Sequence, residues 1–298
     1  MIRLRRDKAK DAPRAQRRIA AILADTHGGH VLGLLNPATL LVREADDGQA
    51  ELWTPEPTET QRQLTRCLNK FTQEMVEFVG GDEVLVIHDG DATQGDVFNH
   101  TIPDTTLEDQ RTIAYYNLLP LVQLPTCRAA RLITGTGIHV PEAAEARIAA
   151  KLAEATGKDI QAVHHERLSI SGVVFDISHH GPPPGSRDWL FGNVATLYLR
   201  DRVDRDRRLG KEPADVYVRG HDHRWVEITI NEEWEGVYRT YRLVVLPSLC
   251  GLGEYARKVT RSEPSLDVGM GLFEIVGGKL VDVKPLKETW DLRTEEVL

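Results

Sequence analysis

Cysteine is scarce in this chain. Its 298 residues include three, Cys67, Cys127 and Cys250, far apart and in no Cys-x-x-Cys pair. That spacing excludes a disulfide framework and a cysteine metal knuckle, and it suits a reducing compartment. Long apolar runs are lacking as well. No stretch approaches the ~20 residues that a membrane-spanning helix needs, so no membrane partner is expected. Repeats, low-complexity blocks and linker-like stretches are missing, which points to a single domain over residues 19–298. Nor is positive charge in excess: the formal net charge is −8. That argues against a protein whose whole surface grips nucleic acid. Basic charge is concentrated at one end. "MIRLRRDKAKDAPRAQRR", residues 1–18, has no apolar core and no small-residue cleavage site. It reads as a solvated basic arm rather than a secretory signal, and the cytoplasm is the expected location.

Apolar runs and helical periodicities alternate along the rest of the chain. "IAAILAD" (19–25) reads as a buried strand, and a long connection containing Pro, Gly and Asn follows it. Leu64, Cys67, Leu68, Phe71, Met75 and Phe78 recur at helical spacing within 58–79, and Gly80-Gly81 marks that helix's end. Strands are expected at 83–91, 129–137, 171–181 and 215–223. Helices are expected at 106–124, interrupted near Pro120, at 141–158 with Pro141 in the first turn, and at 187–210. From Trp225 onward the pattern is β, with a hairpin signal at Gly277-Gly278. This βαβ succession followed by strands predicts an α/β domain with some antiparallel sheet.

Polar residues gather where the apolar runs stop. The first run ends in Asp25 and His27, the second in His88, Asp89 and Asp91, the third in "GTGIH" with His139, the fourth in His179 and His180, and the fifth in His221 and His223. Residues i and i+2 of a strand face the same way, so Asp25 and His27 are expected to converge on one small object. Sites in open α/β sheets form outside the carboxyl ends of strands. A mixed Asp/His set suits Mn, Fe, Zn or a similar divalent ion. A carboxylate shared by two cations suits hydrolysis of a phosphoryl group.

The series "DTH" at 25–27, "GD" at 90–91, "SHHG" at 178–181 and "GHDH" at 220–223 resembles the calcineurin-like metallophosphoesterase superfamily, whose pattern runs DxH, GDxxD, GNH[D/E], H, GHxH. The resemblance spans roughly residues 20–250, with a narrower likeness to phage and prophage members in "GTGIH" and "LPSLCGLGEYARK". It implies a four-layered αββα sandwich of mixed β-sheets flanked by helices, with the metal site at the strand C-terminal ends. It also implies two divalent metal ions, Mn2+ foremost, with Fe, Zn, Ni and Mg as alternatives. By position, Asp25, His27 and His223 would hold the first metal, Asp91 would bridge, and His179 and His221 would hold the second. His180 is the alternative to His179. The implied activity is hydrolysis of a phosphodiester or phosphomonoester, of a nucleotide or nucleic acid, by metal-activated water in a bacterial or phage-infected cell.

Two positions depart from that pattern. Gln94 stands where the second Asp of GDxxD is expected, a place that commonly gives outer support. In "GTGIH" the asparagine is missing in either register: Gly135-Thr136 replaces Gly-Asn with His139 shifted, or Gly137-Ile138-His139 aligns directly. His139 is expected at the site, as ligand or as general acid, and Thr136 could offer a hydroxyl. Asp89 and His30 are further candidates, His30 as a lining of the substrate cleft. Asp222 is expected to orient its histidine neighbours. Asn99 and His100 follow the GD turn without an assigned role. His164 and His165 read as surface histidines, and Trp189 and Phe191 as core. A rival of a different class is a binding or scaffold protein on a degraded metallophosphoesterase fold, which the missing asparagine favours.

Overall fold

A computed structural model describes residues 16–44, 48–97, 100–182, 191–234, 236–253, 265–294 and 296. Most of the expected basic arm, Asn99, Trp189 and the side chain of Phe191 lie outside that set. The first strand, β1 (Arg17–Leu23), shows how the chain is layered. Ile19, Ala21 and Leu23 pack into one apolar cluster, and Ala20 and Ile22 into another. Burial on both faces explains why this strand reads as an unbroken apolar run. It begins inside the expected arm. Arg17 pairs with Asp82 and Glu274, and Arg18 with Glu83. These partners draw the last two arm residues into the strand.

In one six-stranded sheet β1 lies between β4 (Glu83–Asp89), parallel to it, and β12 (Ser265–Val276), antiparallel to it. β13 (Lys279–Asp291) extends the sheet beyond β12, and β5 (Cys127–Ile133) and β6 (Asp159–Val163) continue it in parallel beyond β4. The five-stranded sheet runs β10 (Val226–Trp234), β11 (Val237–Val245), β9 (Val216–Arg219), β8 (Val173–Ile177), β7 (Glu166–Ile170). Both sheets are mixed, and the chain is a mixed α/β protein with four helices among the described residues. A separate hairpin, β2 (Leu41–Glu44) and β3 (Ala50–Trp53), forms within the stretch expected to be a plain connection.

The helices follow their sequence signals with two exceptions. α1 (Glu59–Val79) opens with a capping box of Thr58 and Gln61 and buries Leu64, Cys67, Leu68, Phe71 and Met75. α2 (Leu107–Gln123) runs through Pro120 instead of breaking. The proline leaves the Tyr116 carbonyl without its helical donor, and Asn36 Nδ2 donates to it at 2.8 Å. α3 (Ala144–Thr156) starts three residues after Pro141, because Glu142 and Ala143 hold left-handed backbone with φ of 55° and 56°. α4 (Phe191–Arg208) carries three basic residues in its last turn, which suits a helix C-terminus.

Three apolar clusters join these elements. The first packs Phe71 and Met75 of α1, Leu118 and Leu121 of α2 and Leu152 of α3 on the six-stranded sheet. The second joins Ile22, Ile87 and Phe273 of that sheet to Phe175, Val218 and Val244 of the five-stranded sheet. The third packs Ala195, Leu199 and Val203 of α4 on Tyr217, Tyr241 and Leu243. No helix among the described residues is long and apolar enough to cross a membrane. Phe175 and Phe273 meet edge to face with ring centroids 5.6 Å apart. Phe273→Ala is therefore expected to lower stability by about 3–5 kcal/mol in urea unfolding.

Candidate metal centre

Five parallel-paired strands send their following loops to one place. The loop after β1 supplies Asp25 and His27, that after β4 Asp91, that after β5 Thr136 and His139, that after β8 His179, and that after β9 His221 and His223. Their imidazoles and carboxylates form three groups whose donor atoms lie within 4.8 Å of one another: Asp25, His27 and His223; His27, Asp91 and His139; Asp91, His179 and His221. These Asp/His clusters could hold a metal ion. His27 and Asp91 each belong to two of them, which makes the three groups one continuous centre.

Strand alternation is not what makes Asp25 and His27 converge. β1 ends at Leu23, and both residues lie in the loop beyond it with positive φ. Of the nine described non-glycine residues with positive φ, five are Asp25 (54°), His27 (43°), Asp91 (54°), His221 (73°) and His223 (52°). Each such residue costs about 1–3 kcal/mol, so the strain is concentrated at this centre. Main-chain bonds hold it there. Asp25 N donates to Gly90 O at 3.0 Å, His27 N to Asp91 O at 3.0 Å, and Gly28 N to Ala92 O at 2.8 Å.

Each donor is oriented by a bond on its far side. His179, fully buried, donates Nδ1–H to the Asp89 carbonyl at 2.6 Å. Its Nε2 then faces two carboxylates, 3.1 Å from Asp91 and 3.8 Å from Asp25, off the line a hydrogen bond needs. A buried ring nitrogen so placed is what a cation requires, and the donor set fits one. Gln94 supports two rings: its Oε1 meets His27 Nδ1 at 3.1 Å, and its carbonyl accepts from His139 Nδ1 at 2.6 Å. Asp91 accepts from Thr136 N at 2.6 Å and Thr136 Oγ1 at 3.2 Å. Asp25 accepts from His221 N at 3.0 Å and faces His223 Nε2 at 3.2 Å.

Electrostatics follow from the crowding. Burial alone would raise Asp25 and Asp91, but the neighbouring histidines outweigh it and hold both well below the usual carboxylate range. Burial opposes the charged form of His179, yet Asp25 and Asp91 raise it to about 10. The same contest raises His223.

Other expected residues take different places. His180 is exposed beside the cluster, its Nε2 3.4 Å from Thr136 Oγ1, while His179 is the member of the metal-capable group. Asp89 acts through its carbonyl; its carboxylate is buried without a hydrogen-bond partner among the described residues, and burial pushes it to about 7. His30 is buried behind His27, its Nδ1 accepting from Leu32 N at 2.9 Å, and burial lowers it to about 3. His100 packs against His30 with centroids 5.9 Å apart. Asp222 is part-buried, and burial raises it to about 7. His164 and His165 are exposed, His165 pairing with Asp176 at 3.1 Å.

Two supporting residues escaped the sequence analysis. Arg219 is fully buried and binds the Asp176 carboxylate (2.6 Å), the Asp176 carbonyl (2.8 Å) and Tyr198 Oη (2.8 Å). It anchors the strand that leads into His221, and its only signal was a charge in the apolar run "VYVR". Glu145, in the first turn of α3, is buried, and burial pushes its carboxyl to about 7 against the opposing pull of the Ala92 and Gly135 backbone.

No family model and no curated protein matches the chain. Among solved structures it is similar to the solution NMR structure of Thermotoga maritima protein TM1076, with 15% identity, 56% of this chain and 85% of that one covered, and a TM-score of 0.28. A likeness of that degree bears on neither fold nor function.

Two outcomes follow from the geometry. A Cβ at Gly135 would stand 2.1 Å from Asp91 Oδ1. Gly135→Ala is expected to displace Asp91: Mn2+ is expected to raise the melting temperature of the unsubstituted protein and to leave that of the variant unchanged, read by calorimetric melting with and without the ion. His179, raised to about 10, carries its proton at pH 8, and a cation needs the neutral ring. Cation binding at pH 8 is therefore expected to release at least one proton and to weaken as pH falls. Titration calorimetry in buffers of different ionisation enthalpy measures this, and a heat independent of buffer would contradict it.

Proposed function

We propose that the chain is a divalent-cation-dependent phosphoesterase of the calcineurin-like metallophosphoesterase kind, acting on a phosphodiester or phosphomonoester. The observation that carries this reading is the three joined Asp/His groups, drawn in chain order from the loops after β1, β4, β5, β8 and β9. The three apolar clusters support an αββα order of layers, with α1 to α3 outside one sheet and α4 outside the other. Asp25, His27 and His223 would hold one cation, Asp91, His179 and His221 a second, and Asp91 would touch both. Mn2+ is the foremost candidate for a mixed Asp/His set, with Fe, Zn, Ni and Mg as alternatives. Such cations, when bound, would neutralise charge on the phosphoryl oxygens and lower the pKa of a water.

The chain's own residues do the rest. The Asp89 carbonyl and Gln94 keep His179, His27 and His139 turned toward the centre. The Thr136 amide holds Asp91 in place. His221 and His180 are exposed, so substrate approaches from their side.

A nucleotide-sized ester suits this surface better than a long nucleic-acid strand. Of the five α4 arginines that could make a basic track, three are engaged: Arg202 and Arg208 pair with Asp201, and Arg207 with Asp204 and Glu232. The test is hydrolysis of bis-p-nitrophenyl phosphate and p-nitrophenyl phosphate by chelator-stripped protein. Activity is expected to return with Mn2+ and to fall to background in Asp91→Asn, and the ratio of the two substrates separates diesterase from monoesterase. Folded protein inactive with Mn2+, Mg2+, Zn2+, Ni2+ and Fe2+ would sink the reading and leave a binding protein on this fold.

A further inference from the structure

The loop after β5 places two residues over two different parts of the centre. His139 N donates to Thr136 O at 2.8 Å, closing a turn whose tip, Gly137 and Ile138, is exposed. On one side of that turn Thr136 Oγ1 lies 3.2 Å from Asp91, 3.4 Å from His221 Nδ1 and 3.4 Å from His180 Nε2. On the other side His139 joins His27 and Asp91, its ring 4.7 Å from His27 and nearly perpendicular to it. The turn thus adds an imidazole beside His27, a member of the Asp25, His27 and His223 group, with Asp91 as its other neighbour, and only a hydroxyl beside Asp91 and His221.

We propose that the two cation sites are unequal: His139 completes the site of Asp25, His27 and His223, while Thr136 leaves the site of Asp91, His179 and His221 short of a donor that a phosphate oxygen supplies. The inference rests on the phosphoesterase reading above. Donor chemistry supports it. The Asp89 and Gln94 carbonyls fix the tautomers of His179 and His139, so each ring presents Nε2 to the centre. The first site then draws on Asp25, His27, His223 and His139 with Asp91 beside them. The second has three strong donors, and its Thr136 hydroxyl is already hydrogen-bonded to Asp91. His221 is also exposed, whereas Asp25 and His27 are buried. The second site therefore has a side open to a phosphate group.

Titration of chelator-stripped full-length protein with Mn2+ alone, by calorimetry and electron paramagnetic resonance, tests this. Two steps are expected, with Kd values at least about tenfold apart, and a spin-coupled spectrum appearing only in the second. His139→Ala should weaken the tighter step about 10–100-fold and leave the weaker one in place. Inorganic phosphate should tighten only the weaker step. Thr136→Asn, which keeps every histidine, should tighten the weaker step too, and it reports independently of any folding loss in His139→Ala. Two equal steps, or a His139→Ala effect confined to the weaker step, would overturn the inequality and leave the phosphoesterase reading standing. Absence of any Mn2+ binding would overturn both.

Discussion

The main-chain hydrogen bonds that continue between residues 25–28 and 90–92, past the last paired residues of β1 and β4, hold the centre together. They carry the parallel pairing of two buried strands into two loops that would otherwise diverge. Asp25, His27 and Asp91 are thereby kept in left-handed backbone that none of them would choose. Strain of this kind persists only where surrounding structure over-determines it. Here the surroundings are strands buried on both faces, with α1 to α3 packed on one side of the sheet and the five-stranded sheet on the other.

The second sheet brings its donors in through different anchors. Gly220 N donates to His179 O at 2.9 Å, which ties the loops after β8 and β9 to each other. Asp25 then accepts from the His221 amide, which ties both to the first sheet. Arg219 fastens the approach from beneath. A buried guanidinium is tolerated there because Asp176, Tyr198 and two carbonyls answer it. Glycines let the loops close: a Cβ at Gly90 would lie 2.3 Å from His179 Nδ1.

Much of this was legible in the sequence because apolar runs stop abruptly at Asp, His and Gly. Asp25, His27, Asp91, His139, His179, His221 and His223 were all singled out on that signal, and the structure gathers them within three touching groups. The preference for His179 over His180 rested on its nearness to the strand, and burial separates the two in the same sense. The path through Pro120 was not legible, since the group that answers the freed carbonyl is Asn36, distant in sequence. The β2–β3 hairpin and the short β6 and β7 strands were missed for a related reason: their half-exposed residues carry no long apolar run.

The sequence by itself determined which residue types reach the centre and in what order, because strand ends and their polar caps are local features that burial writes into the chain. Only the tertiary structure decided how they converge and what each faces. In "GTGIH" one turn brings Thr136 to Asp91 and His139 to His27 and leaves Ile138 exposed. Gln94 and the Asp89 carbonyl orient rings far from them in sequence. Such roles are not written locally, because a hydrogen bond depends on where a partner lies in space, and spacing along the chain does not record that.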